Sequence, residues 1–173
     1  MKEENVFMRR ELIVMIGITA SGKSFHINRC YIKDHQHVSE KYIIKGMKKE
    51  GIPFDEDTKN MIMAITVRSH MIRGLPIVID EPNLELESLF IWKKLAVEHN
   101  YNIKGVIVDT PIRVCAERLL SIWKGKLGKN WLENLKLENA KFKELKQVLS
   151  MKHQKILDKV VRVTYGGKNN EIL

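Results

Sequence analysis

Leu12 to Ile16 is a run of five apolar residues with no polar position inside it. A strand covered on one face alternates apolar and polar positions, so an unbroken run reads as a strand buried on both faces. Ile77 to Ile79, opened by Pro76, repeats this signal, Ile103 to Val108 reads as a third strand although Lys104 interrupts it, and Val160 to Tyr165 reads as a closing strand. Between these runs the spacing is helical. Lys23 to Ile32 places Ile27, Cys30 and Tyr31 on one face, and Glu40 to Glu50 is a charged helix ended by Gly51-Ile52-Pro53. A short strand fits the break around His35 to Val38. Asp55 caps the next helix, which carries Ile62, Ile65, Ser69 and Ile72 at 3-4-3 spacing and stops at Gly74. Leu84 to His99, Ile112 to Trp123 and Trp131 to Ser150 are further helices, and a polar tail follows Gly166-Gly167. Strands alternating with helices predict an α/β fold, with a parallel sheet wrapped on both faces. No linker or repeat divides the chain, so one domain over 1–173 is expected, with a polar arm at 1–10.

The first apolar run empties into Gly17-x-x-x-x-Gly22-Lys23-Ser24. This is the P-loop pattern in its proper strand–loop–helix setting, and it specifies the fold class as a three-layer P-loop NTPase. Main-chain amides of Gly17, Thr19, Ala20, Ser21 and Gly22 can wrap phosphate oxygens, and the following helix adds its dipole. Lys23 reaches the β- and γ-phosphates, and the Ser24 hydroxyl ligates Mg²⁺. ATP and Mg²⁺ are therefore the expected ligands.

Composition adds less. The 173 residues suit one sizeable core, and 44% of them are hydrophobic. Thirty Lys plus Arg against 21 Asp plus Glu give a formal charge of +9, which favours a polyanionic partner such as nucleic acid. No apolar stretch is long enough to span a membrane, and no secretion signal is visible. Cys30 and Cys115 read as reduced, buried small hydrophobes of an intracellular, cytoplasmic protein. The six histidines form no convincing metal-ligand spacing. The oligomeric state stays open, a homo-oligomer included.

Ligands on parallel sheets bind beyond the carboxyl ends of the strands. That rule gathers the P-loop, Asp80-Glu81 and Asp109-Thr110-Pro111 into one cleft. Asp80 reads as a Mg²⁺ carboxylate, as a group acting on the acceptor hydroxyl, or as a helix cap. Ile-Val-Ile-Asp80-Glu81 also fits a Walker B element, whose glutamate polarises a water in an ATPase. The loop from Trp123 to Trp131 carries Lys124, Lys126 and Lys129 and is punctuated by two glycines, Gly125 and Gly128, as a lid over a triphosphate would be. Arg118 lies just before it and can point into the same cleft. Trp123 and Trp131 can stack on a base or pack a helix end.

Gly17 to Ser24, the Asp80-x-x-Asn83-Leu84 turn, Asp109-x-Pro111 and Arg118 together resemble the phage-type polynucleotide 5′-hydroxyl kinases. These belong to the adenylate-kinase-like group of P-loop kinases. The resemblance runs from about residue 11 to 150 and fits a phage-encoded chain. It implies transfer of the γ-phosphate of ATP to a hydroxyl, the 5′-OH of DNA or RNA first of all. It also places a catalytic carboxylate at Glu40, within Val38-Ser39-Glu40-Lys41-Tyr42. The arginines that the family pattern has before the carboxylate and after the tyrosine are Ser39 and Ile43 here. Lysines also replace arginine in the lid, giving charge without the bidentate fork. The expected catalytic set is Lys23, Glu40, Asp80 and Arg118. Ser24 and Asp80 hold the metal, Glu40, Asp80 and Asn83 meet the acceptor, and Lys124 and Lys126 join the loop and Arg118 around the nucleotide. A kinase of a free nucleoside or nucleotide, a kinase of a modified base in DNA, and an ATPase using Asp80-Glu81 are the alternatives.

Overall fold

A computed structural model describes residues 10–123, 126–151, 156–165 and 169–172. In chain order the elements are β1 (Glu11–Ile16), α1 (Lys23–Cys30), β2 (Gln36–Ser39), α2 (Glu40–Lys49), α3 (Glu56–Ile72) and β3 (Ile77–Asp80). They continue with α4 (Leu86–Glu98), β4 (Asn102–Asp109), α5 (Ile112–Trp123), α6 (Trp131–Ser150), β5 (Lys159–Thr164) and β6 (Asn169–Ile172). One sheet runs β2-β3-β1-β4-β5-β6. Its first five strands are parallel, and β6 pairs antiparallel with β5. The three-layer P-loop fold is thus present, and β6 adds a strand where the sequence showed only a polar tail.

β1 lies at the centre, and alternation explains why its sequence is apolar throughout. Leu12, Val14 and Ile16 face the larger core, while Ile13 and Met15 face a smaller one against Ile27 of α1. All five are fully buried. β1 is flanked by β3 on one side and β4 on the other, and the chain fills the β2–β3 side before crossing to the β4–β5 side, so the P-loop stands where the strand order reverses. A crevice opens there at the carboxyl ends of the strands.

Two expectations are corrected. The buried face of α3 is Lys59, Met63, Val67 and Met71, and Ile65 and Ile72 lie in solvent. This helix is apolar on several sides between Met61 and Val67, so its own periodicity could not choose. Tertiary contacts choose instead. Tyr101 drops from the strand side and donates its hydroxyl to the carbonyls of Met71 and Leu75, at 3.3 and 2.9 Å. Cys30 is exposed, at the last turn of a helix only eight residues long, whereas Cys115 is buried as expected. The cap at Asp55 holds: its carboxylate accepts from the Thr58 amide at 2.8 Å. Among the described residues no helix is long and apolar enough to cross a membrane.

Candidate active site

The P-loop owes its shape to positions that few side chains tolerate. Gly22 has φ +106° and Ala20 φ +60°, both left-handed. A Cβ on Gly17 would stand 2.9 Å from the Val108 carbonyl oxygen, too close for any alanine. No side chain caps α1, so its first amides stay available to an anion. Behind the loop, Arg118 donates to the carbonyls of Ala20 and Ser21, each at 2.9 Å, and Thr110 donates to Ser21 at 2.7 Å. Arg118 and Thr110 therefore brace the loop from α5 and the end of β4. Asp109 turns elsewhere: it accepts from Lys146 of α6 at 2.9 Å and from Arg162 of β5, tying both to the sheet.

Lys23 is almost wholly buried, and its ammonium donates to Gly17 and Ile18 carbonyls at 2.8 and 3.0 Å. Burial pulls its pKa down from the usual lysine value, against the nearby charges of Asp80, Glu138 and Glu81. The Ser24 hydroxyl donates to Asp80 Oδ2 at 2.7 Å, and His37 Nε2 lies 3.2 Å from the same oxygen. Burial pushes the Asp80 carboxyl upward, but the His37 and Ser24 hydrogen bonds and the Lys23 charge outweigh it and hold it low. Ser24 and Asp80, separated by 56 residues in sequence, thus meet as a pair of oxygens beside the loop.

Two cavities flank the loop. One, of about 730 Å³, runs between α1, the P-loop, Arg118 and the end of β5. At its mouth the Arg118 guanidinium lies 5.4 Å from the centre of the Tyr165 ring, and Phe25 is exposed. The other, of about 430 Å³, lies between the start of α2, α3, the turn after β3 and α6, and is lined by Glu40, Lys59, Glu81, Asn83, Trp92 and Glu138 among others. Ser39 caps α2, accepting from the Tyr42 amide at 3.4 Å, so Glu40 begins the helix at the cavity wall. Glu40 donates its backbone amide to Glu81 Oε1 at 2.5 Å, and its carboxylate sits 3.5 Å from the Lys59 ammonium. Burial, opposed by that amide and reinforced by the neighbouring Glu40 carboxylate, pushes the Glu81 pKa up to about 8.

Asn83 is buried at φ +46°, and its amide is fully engaged. It donates to Met15 O at 2.8 Å and Glu81 O at 3.2 Å, and accepts from Trp92 Nε1 at 3.0 Å. Its role is to lock the β3–α4 turn against β1. The loop expected to act as a lid is only partly described: Lys124 and Gly125 lie outside the described residues, as do residues 1–9 of the expected arm. Lys126 is exposed, while Leu127 and Trp131 pack against the core.

Glu138, Lys59 and Tyr165 line the two cavities but were not among the expected site residues, and Glu81 was expected only as the Walker B glutamate of an ATPase. Glu138 reaches from α6 to the P-loop, where its two oxygens accept from Thr19 N at 2.7 Å and Thr19 Oγ1 at 2.9 Å. The 119 residues between them leave no local signal of the contact. Lys59 had one, a lysine at an otherwise apolar helix spacing, and Glu81 had its adjacency to Asp80.

Known proteins share this framework. A family model described as an AAA domain matches residues 12–121, from β1 through most of α5. A protein of Acanthamoeba polyphaga mimivirus described as a bifunctional polynucleotide phosphatase/kinase is 31% identical over 104 residues, 60% of this chain and 22% of the viral protein. One of Autographa californica nuclear polyhedrosis virus, described as a bifunctional polynucleotide kinase/RNA ligase, is 23% identical over 122 residues, 63% of this chain and 18% of its own length. The chain therefore spans about a fifth of each of these relatives. Among solved structures, one described as a kinase from Chloroflexus aurantiacus superposes with a TM-score of 0.61 at 15% identity, covering 84% of this chain and 98% of that one. A chain of the Pnkp1/Rnl/Hen1 RNA repair complex gives 0.62 at 18% identity, covering 84% of this chain and 49% of its own. At these identities the structural likeness speaks for the fold. The family match rests on well over half of the sequence and includes the whole phosphate loop: the chain belongs to the AAA domain family of P-loop proteins.

Proposed function

We propose that this chain is an ATP-dependent kinase that transfers the γ-phosphate to a hydroxyl, the 5′-OH of DNA or RNA. The observation that carries this reading is a pair of cavities beside one phosphate loop: the first is lined by the loop itself with Lys23 and Ser24, the second by Glu81, next to Asp80, and by Glu138, which is bonded to Thr19. One is edged by cations and an aromatic ring, the other by two adjacent carboxyls. A hydrolase needs one nucleotide cavity and a water; a transferase needs a donor and an acceptor compartment. The names of the two viral relatives and the formal charge of +9 favour a polynucleotide as acceptor.

In this mechanism the amides of residues 19–24 take the phosphate tail, and Lys23 exchanges its carbonyl partners for the β- and γ-phosphate oxygens. Arg118 and Tyr165 hold the base end. Ser24 and Asp80 are hard oxygen donors already drawn together, a set that suits Mg²⁺. The ion, when bound, supplies charge neutralisation across the β- and γ-phosphates. The acceptor hydroxyl oxygen attacks the γ-phosphorus, the bond to the β-phosphate oxygen breaks, and ADP leaves. Glu40 takes the hydroxyl proton, with Lys59 fixing the direction of its carboxylate. Asp80 is committed to Ser24 and His37, which leaves Glu40 the better placed base. Asn83 frames the acceptor cavity through the turn it locks. Water activation by Glu81, as an ATPase would need, fits poorly with a carboxyl that burial keeps protonated at neutral pH.

The test is incubation with γ-labelled ATP and an oligonucleotide bearing a 5′-hydroxyl. Label on the strand is expected. Label released only as inorganic phosphate, or passed only to a free nucleoside, contradicts the reading.

A further inference from the structure

The acceptor cavity has the wrong charge for a strand of phosphates. Five glutamates line it: Glu40, Glu56, Glu81, Glu85 and Glu138. Its two described lysines are already spent. Lys59 bridges Glu40 and Glu56, and Lys141 pairs with Glu85 at 2.6 Å. The donor cavity is the opposite, with Lys23, Arg29 and Arg118 and no carboxylate among its described lining residues. A phosphodiester inside the acceptor cavity would be repelled and would lose its hydration without a cationic partner.

The cations stand just outside. Four of the ten residues of α2 are lysines. Lys41, Lys45, Lys48 and Lys49 follow i, i+4, i+7, i+8 spacing, which puts them on one face, and all four are exposed. Their face turns away from Met47, which is buried. The only acid within α2 is Glu40, which points into the cavity toward Lys59. Successive turns are about 5.4 Å apart, close to the spacing of phosphates along an extended single strand. Tyr42, exposed and set edge-on to His37 at 5.4 Å, adds a ring on which a base can stack at the head of the same helix. The helix begins at Glu40 in the cavity wall and leads away from it, which offers a cationic face outside the cavity to a strand whose end enters it.

We infer that the cavity admits only the terminal, phosphate-free nucleoside, and that the strand behind it is carried on the Lys41–Lys45–Lys48–Lys49 face of α2. The inference rests on the polynucleotide reading and adds where the strand lies and which ends are accepted.

The experiment measures KM for a 5′-hydroxyl single strand of about twenty nucleotides against salt concentration. Wild-type protein is compared with the Lys45→Glu/Lys48→Glu/Lys49→Glu variant and with the corresponding triple arginine variant, circular dichroism reporting the fold. Each phosphate contact contributes about 0.7 to the slope of log KM against log salt, so the glutamate variant should lose about 2 of it and raise KM about tenfold or more, while the arginine variant keeps both. A 5′-phosphorylated strand should compete about tenfold less well than the 5′-hydroxyl strand binds. Strand labelling with an unchanged slope in the glutamate variant overturns the lysine track alone. Equal competition by the phosphorylated strand overturns the cavity's selectivity. Labelling of free nucleosides but no strand overturns the polynucleotide reading and this inference with it.

Discussion

Thr19 is the residue on which an anion already rests. Glu138 offers its carboxylate to the Thr19 amide and hydroxyl together, the same donors that a γ-phosphate would seek. ATP must therefore displace Glu138, and Glu138→Gln removes the competing charge. That variant is expected to bind ATP about three- to tenfold more tightly by calorimetry, because a charge-assisted contact of about 1 kcal/mol at an exposed site no longer has to be broken. Weaker binding would mean that Glu138 supports the loop instead of obstructing it. The Gly17 to Ser24 pattern could be read from the sequence because phosphate binding is done by local backbone, and each glycine answers to a local constraint. Glu138 could not, since only the docking of α6 brings it to the loop.

The strands and helices followed from period alone where one period dominated. β1 is apolar on both faces and sits at the centre of the sheet, and Asp55 caps α3 as its position requires. The face of α3 was not readable, because Met61, Ile62, Met63 and Ile65 make it apolar nearly all round and only its neighbours decide which residues are covered. Asn83 shows the opposite limit: the turn signal was visible, but its function was not. Its amide joins β1, the turn after β3 and α4 through three hydrogen bonds, so Asn83→Ala should cost about 2–4 kcal/mol from lost and orphaned buried groups. Asn83→Gly relieves the positive φ but loses the same bonds, so chemical denaturation should place it above alanine and below wild type. A wild-type midpoint for Asn83→Ala would show that the turn holds without it.

The assembled protein sets two carboxyls against each other in a partly closed cavity, and this makes its stability pH-dependent. The folded chain keeps a proton on Glu81 up to about pH 8, whereas the unfolded chain releases it near the ordinary value of 4.5. Between those values the folded state binds more protons, so this group's contribution to stability falls as pH rises. Glu81→Gln carries no such charge. Its melting temperature relative to wild type should rise from pH 5 to pH 8 and level off above it; a difference that does not change with pH contradicts the burial of an unionised Glu81. The charge distribution of the fold, basic around the donor and acidic around the acceptor, could not be seen in a formal total of +9 because that number carries no positions.

Where the transferred phosphate ends up discriminates among all the readings. A 5′-hydroxyl oligonucleotide, labelled by the protein from γ-labelled ATP and digested to mononucleotides, should yield its label solely as the 5′-phosphate of the terminal nucleotide. Glu40→Gln should slow that labelling about 10²–10⁴-fold. Label on a base, at a 3′ end or only in inorganic phosphate, or undiminished labelling by Glu40→Gln, would contradict the account of a donor and an acceptor cavity flanking one phosphate loop.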